Sequence, residues 1–232
     1  MTASYSAMLT RILVFVFFWT LLLTWVVAQR SIPCQNFVNY FAVPFKFAGF
    51  ETLGIGYFLP AISLASISRM FRIHDRVSDL IGIRRNFDLY HILYPLAEKC
   101  GVTVHWQMIP VIETKRKALM GQVFYAYVGY VDPKVDPHLV YNALDNWSWL
   151  WVLLELSILS LISGVICIAA DAYYRGFFLI VLAIMKVVAV CYFYYWQCIP
   201  AAQSEIDAIV SSPDRKNDIE KAFLACDTKS TD

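Results

Sequence analysis

The sequence lacks the patterns that mark most enzymes and metal sites. Its 232 residues contain no G-x-S-x-G, H-E-x-x-H or P-loop motif. None of the four histidines has a cysteine or glutamate at metal-ligand spacing. We therefore predict a non-enzymatic protein with no catalytic residue, no cofactor and no metal.

Charge is scarce as well. Charged residues make up 16% of the chain and the formal net charge is +1, so no overall field attracts nucleic acid. The six cysteines are scattered and form no C-x-x-C pair, which argues against a disulfide framework. What the sequence does have is apolar residues, at 59%, with a mean hydropathy of +0.55. This composition is typical of a membrane protein.

Four apolar runs approach the roughly 20 residues that a helix needs to cross a bilayer. Three are strong, and the fourth is weaker because Glu51, Pro60 and several serines interrupt it, so a buried or re-entrant helix is its alternative. We interpret all four as spans. They are Ile12–Gln29, Phe50–Ser68, Trp147–Ala170 and Phe177–Cys198.

The predicted fold is therefore membrane α-helical, with four transmembrane helices and a small α+β cytoplasmic cap between the second and third. Alternating β-formers in Val102–Ile109 and Gln122–Val131 predict the strands of that cap. The domains would be a first helix pair at 1–70, the cap at 71–146, a second hairpin at 147–198 and a helical tail at 199–232.

Lysine and arginine placement predicts the topology. Ten basic residues lie between the second and third spans and four in the tail, against three in the connections on the other side. Basic residues near span ends stay in the cytoplasm. We therefore predict a plasma (inner) membrane protein with both termini in the cytoplasm.

The stretch SRMFRIHDRVSDLIGIRRNFD, Ser68–Asp88, follows the second run directly and holds five arginines and three aspartates. Helical spacing of its apolar residues predicts a surface helix, and its arginines would attract anionic headgroups. Its aspartates offset the basic charge, which disfavours nucleic acid. Asp75, Asp79 and His74 as a cation site is a weaker alternative. The predicted lipid or partner surface is Arg69, Arg72, Arg76, Arg84, Arg85, Phe87 and Asp88.

Two ionisable residues lie inside predicted spans, Glu155 and Lys186. Charges at such depth usually face a partner or a cavity, so we predict an intramembrane ion pair, with an ion or proton pathway as the alternative. Small residues predict close helix packing. They are Gly54, Gly56, Ala61, Ala65, Ser160 and Gly164.

Three functions remain open on these observations. The first is a homo-oligomeric membrane subunit that anchors or senses for a cytosolic protein, of the general shape found in bacterial phage-defence systems. The second is a homo-oligomeric channel or pore-forming effector built on Glu155 and Lys186. The third is a membrane enzyme that uses Asp75, Asp79 or His91. We expect the bilayer, a second copy of the chain and a cytosolic protein as partners, and no nucleic acid.

Overall fold

The computed structural model describes residues 5–41, 46–47, 50–51, 54–129 and 132–227. Helices dominate these residues, and three of the helical segments have the wider π-helical hydrogen-bonding pattern. In chain order the elements are α1 (Tyr5–Ala28), α2 (Ile32–Tyr40), β1 (Lys46–Phe47), β2 (Phe50–Glu51), α3 (Ile55–Phe71), α4 (Ile73–Ile81), α5 (Ile83–Asn86), π1 (Phe87–Leu93), α6 (Tyr94–Lys99), α7 (Met108–Leu119), π2 (Met120–Phe124), α8 (Tyr125–Val128), α9 (Pro137–Ala169), α10 (Tyr173–Phe193), π3 (Tyr194–Cys198), α11 (Ile199–Val210) and α12 (Pro213–Asp227).

Among the described residues, three helices are long and apolar enough to cross a membrane: α1, α9, and the continuous helix that runs from Tyr173 to Val210. The prediction of four transmembrane helices is wrong on this criterion. Helix α3 has 17 residues, which at about 1.5 Å per residue falls short of a hydrocarbon core of about 30 Å. Phe50 and Glu51, at the start of the predicted run, form β2, which pairs with β1 in register Phe47 to Phe50.

The predicted α+β cap is also wrong. Within the described part of 71–146 no residue is in a strand. Val102–His105 is irregular, and Gln122–Val128 is helical, while the last two residues of the predicted second strand lie outside the described residues. The buried residues Met120, Val123, Phe124 and Tyr127 follow a spacing of three and four, so packing of one helical face overrides their β propensity.

The chain forms two compact units. The charged unit contains Asp75–Trp147 and Tyr194–Asp232, with Tyr5. Its helices α6, α7, α11 and α12 pack with π1 and π2 around a fully buried core. The largest side chains of that core include Leu93, Leu96, Ile112, Ile206 and Phe223.

The apolar unit contains Ser6–His74 and Ser148–Phe193. One core cluster joins Leu23 and Val27 of α1 with Cys167 of α9 and Leu179 of α10. Most other large side chains of α10 are exposed, including Phe177, Val181, Met185 and Val188. Such an outward apolar surface is what lipid requires of a spanning helix.

Candidate functional site

A buried carboxylate lies in the middle of α9, within the apolar unit. Glu155 is only 5% exposed, and the Ser68 hydroxyl donates a hydrogen bond of 2.6 Å to its Oε2. The backbone N–H of His74 also donates to this carboxylate. The other oxygen, Oε1, has no hydrogen-bond partner among the described residues. Ordinary hydrogen bonds to a hydroxyl and an amide therefore replace the water that Glu155 loses on burial.

The imidazole of His74 completes this group of side chains. It is 1% exposed, and its Nδ1 is 3.8 Å from Glu155 Oε1, beyond hydrogen-bond range but within ion-pair range. The Trp151 ring lies 6.1 Å from the imidazole ring. We call Ser68, His74, Trp151 and Glu155 the Glu155 cluster. The carboxylate and the imidazole can form an ion pair when the imidazole is protonated, but at this distance they share no hydrogen bond.

Lys186 of α10 has a different set of partners. Its ammonium group lies 3.7 Å from the centroid of the Trp19 ring and donates a hydrogen bond of 2.8 Å to Ser160 Oγ. The Trp19 indole N–H donates to the same oxygen, at 3.0 Å. The face of an aromatic ring attracts a cation, most strongly where water is excluded. These contacts hold the lysine without a carboxylate.

The two charges that the sequence analysis paired are therefore held separately. No ion pair joins Glu155 to Lys186 among the described residues, and each has its own polar partners. The spacing along α9 explains this arrangement. Ser160, which binds Lys186, is five residues beyond Glu155, or about 7.5 Å along the helix.

An ion pair between oppositely charged residues does occur in the charged unit. Asp88 of π1 accepts a hydrogen bond of 2.5 Å from Arg116 of α7, and both side chains are buried. Burial raises the pKa of Asp88 to about 6, against the opposing effect of Arg116 and Arg84. This buried, hydrogen-bonded ion pair connects π1 with α7.

Phe87 is also in this core. Its ring contacts Trp147 at 4.6 Å, His91 at 5.4 Å and Tyr194 at 5.6 Å between centroids. Phe87 and Asp88 were predicted on a docking surface, and both are buried. Burial lowers the pKa of the neighbouring His91, which favours its neutral form. Phe87 therefore packs against other aromatic rings and Asp88 pairs with Arg116, both inside the charged unit.

The predicted arginines of 69–85 are largely engaged within the chain. Arg84 pairs with Asp75 at 3.1 Å, and Arg85 with Glu113 at 2.6 Å. Arg69 donates to the Thr10 hydroxyl at 3.1 Å. Arg72 ends α3 in the left-handed conformation, and both it and Arg76 have exposed side chains. Ion pairs at exposed positions contribute little stability, so these arginines remain accessible to other molecules.

The small residues mark close contacts inside the apolar unit. A Cβ on Gly56 would lie 2.2 Å from the carbonyl oxygen of Val38, and one on Gly164 would lie 2.9 Å from that of Gly176. Ala61, Ala65 and Ser160 are buried, and Gly54 is half-buried at the start of α3. The tightest of these contacts, at Gly56 and Gly164, lie within one chain.

Sequence comparison places the chain among known proteins at the family level. The YmfE protein family matches residues 4–225. The chain belongs to this family. No curated protein and no solved structure matches the chain. The match to this family therefore extends over nearly the whole chain. A function has to be inferred from the positions and contacts of the side chains.

The sequence did not predict the burial of several ionisable side chains. Arg116 lies in the run Lys115–Lys117, which reads as a solvated turn, yet it is buried against Asp88. Glu205 of α11 is buried in the charged unit. The available signal for Arg116 was its position at helical spacing from Ile112 and Leu119, both fully buried. The described residues contain no group of three His, Cys, Asp or Glu side chains suited to a metal ion.

Proposed function

We propose that this protein is a non-enzymatic membrane subunit that anchors a cytosolic protein and senses its presence. Its apolar helices would hold it in the bilayer, and its charged unit would bind the partner. The abundance of lysine and arginine in residues 71–146 and in the tail supports a cytoplasmic location for the charged unit, including the C-terminal tail.

One observation carries this proposal: α4 exposes two large apolar side chains at its C-terminal end, where a helix in water would be polar. Leu80 is 87% exposed and the adjacent Ile81 is 57% exposed. Arg76 and Asp79, both exposed, flank them on the same helix. We call these four residues the α4 patch. An apolar centre with charges of both signs at its rim is the usual composition of a protein-binding surface.

The buried side of α4 strengthens this interpretation. His74 and Ser78 face inward and are buried, although both are polar, and the Ser78 hydroxyl accepts a hydrogen bond from the backbone N–H of Arg84 at 3.1 Å. Leu80 and Ile81 would gain stability by burial, at about 25 cal/mol per Å² of apolar area. A partner that covers them would supply that burial.

The contacts of the two membrane charges support an anchor more than a channel. Lys186 is bound by Trp19 and Ser160, and Glu155 by Ser68 and His74, all within one chain. A conduction pathway needs charged groups that face a water-filled route. Conduction by a homo-oligomer is nevertheless the competing proposal, and the following experiment separates the two.

The test places a photo-crosslinking amino acid at position 80 of the full chain, in the native host. Leu224 of α12 is the matched control, because it is another exposed leucine of the charged unit. We expect a covalent adduct with a cytosolic protein at position 80, and none at position 224. The adduct should disappear when Arg76→Glu reverses the charge at the rim of the α4 patch.

Two other outcomes would overturn the proposal. An adduct containing only a second copy of this chain would favour the homo-oligomeric channel. Replacement of Glu155 and Lys186 by leucine should then abolish ion flux in reconstituted vesicles. An adduct with lipid alone would mean that the α4 patch lies against the membrane and binds no protein.

A further inference from the structure

A groove lies between the end of α1 and the start of α10, within the apolar unit. Its volume is about 380 Å³. Trp25, Val26 and Gln29 form one wall, and Tyr174, Arg175 and Phe178 form the other. The proposed function uses none of these residues.

The chemistry of the groove changes along its length. At one end the Arg175 guanidinium donates a hydrogen bond of 2.7 Å to Gln29 Oε1, so its position is fixed by the opposite wall. The walls beyond it are aromatic and aliphatic. Tyr174 is 95% exposed and Phe178 is 66% exposed, and Trp25 is also exposed. Exposed aromatic rings beside a fixed cation, at the ends of membrane-length helices, are typical of the headgroup level of a bilayer.

The arginine retains the capacity to bind an anion. A guanidinium has five donors, and the bond to Gln29 uses one of them. The nearest acid in sequence is Asp171, whose carboxylate accepts a hydrogen bond from the Tyr173 hydroxyl at 3.0 Å. No ion pair joins Asp171 to Arg175 among the described residues. The charge of Arg175 is therefore available to a phosphate group, which the planar guanidinium binds through two donors.

We propose that this groove binds one anionic phospholipid, with its phosphate on Arg175 and an acyl chain along Trp25, Val26 and Phe178. The charge at one end and the apolar walls beyond it match the two parts of such a lipid, whereas a soluble anion would leave the walls uncovered. Basic pockets between membrane helices bind anionic lipids in this manner. The proposal is independent of the protein partner proposed above.

The test uses the full chain in nanodiscs containing equal amounts of phosphatidylglycerol and phosphatidylcholine, followed by native mass spectrometry of the released protein. The wild type should retain phosphatidylglycerol in preference to phosphatidylcholine. Arg175→Gln should lower that preference about fivefold, the effect of one basic residue at a membrane surface. Arg175→Lys keeps the charge and should retain most of it.

Two further variants make the result decisive. Arg30→Gln removes an exposed arginine just after α1 that does not line the groove, and it should leave the lipid ratio unchanged. Val26→Trp fills the groove without altering charge and should reduce retention of both lipids. An equal effect of Arg30→Gln and Arg175→Gln would overturn the proposal, because it would indicate diffuse surface charge. Equal retention of the two lipids by the wild type would overturn it as well.

Discussion

Asp88 of the charged unit has a different kind of partner from Glu155 and Lys186 of the apolar unit. In the charged unit Asp88 is neutralised by Arg116, with a hydrogen bond of 2.5 Å. In the apolar unit Glu155 is held by a hydroxyl and a backbone amide, and Lys186 by a hydroxyl and an indole ring. The difference shows that opposite charge is only one means of stabilising a buried ion. A hydroxyl, a backbone amide or an aromatic ring can stabilise the charge where the helices of a spanning hairpin place acid and base at different depths.

Removal of one member of the Asp88 pair should have the largest effect. Arg116→Met should reduce the free energy of unfolding of the charged unit by about 3–5 kcal/mol, because Asp88 is then buried without its partner. Hydrogen exchange of peptides from π1 and α7, in the full chain in detergent, measures this loss.

The control for that prediction is Arg85→Met. Arg85 pairs with Glu113 at the surface, so its replacement should cost less than about 1 kcal/mol. The double variant Asp88→Leu, Arg116→Met should recover most of the stability. A double variant as unstable as Arg116→Met would show that the pair is needed for packing rather than for charge balance.

Replacing a glycine with alanine should have different effects on stability in the two units. Gly176→Ala should destabilise the apolar unit by about 1–3 kcal/mol, because its Cβ would lie 2.4 Å from Ile168 Cγ1 and 2.8 Å from the carbonyl oxygen of Gly164. Gly121→Ala makes the same change where the new Cβ would meet no heavy atom within 4 Å apart from its own stretch of helix backbone, and it should be neutral or stabilising. Thermal unfolding of both variants in detergent gives the comparison, and equal effects would argue against the α9–α10 contact.

Ser68→Ala tests whether the hydroxyl stabilises Glu155. It should lower stability by about 1–2 kcal/mol, because a buried carboxylate oxygen loses its donor. Ser157→Ala is the matched control, since Ser157 is equally buried but its hydroxyl bonds only to Leu153 O of its own helix. Similar melting temperatures for the two variants would mean that the Ser68 hydrogen bond contributes nothing.

Stability should depend on pH through Asp88. Its pKa in the folded protein is about 6, above the ordinary value of 3.8, so the folded state binds the proton more tightly than the unfolded state does. The resulting stability is fully present below about pH 4 and is lost as the pH rises through about 6. Asp88→Asn should remove this component from the pH profile of unfolding in the charged unit, and an unchanged profile would assign it to another group.

The smallest effect should be the coupling between Glu155 and Lys186. A double-mutant cycle with Glu155→Gln and Lys186→Gln should give an interaction energy within about 0.5 kcal/mol of zero, because the two residues have separate partners. An interaction energy several times larger would support the ion pair that the sequence predicts. It would also weaken the contrast between the units.

The long apolar runs determined by themselves where three membrane-length helices lie, because about 20 apolar residues in sequence need no tertiary information to be recognised. Helix α12 begins at Pro213, and proline is a residue type that local chemistry favours at the first helical position. The helical spacing of apolar residues was present in the sequence for Gln122–Val128 and around Arg116, but tertiary structure decided that these faces are buried. It also decided the separation of Glu155 from Lys186. Each depends on which face of a helix meets another segment distant in sequence, and periodicity within one short segment does not contain that information.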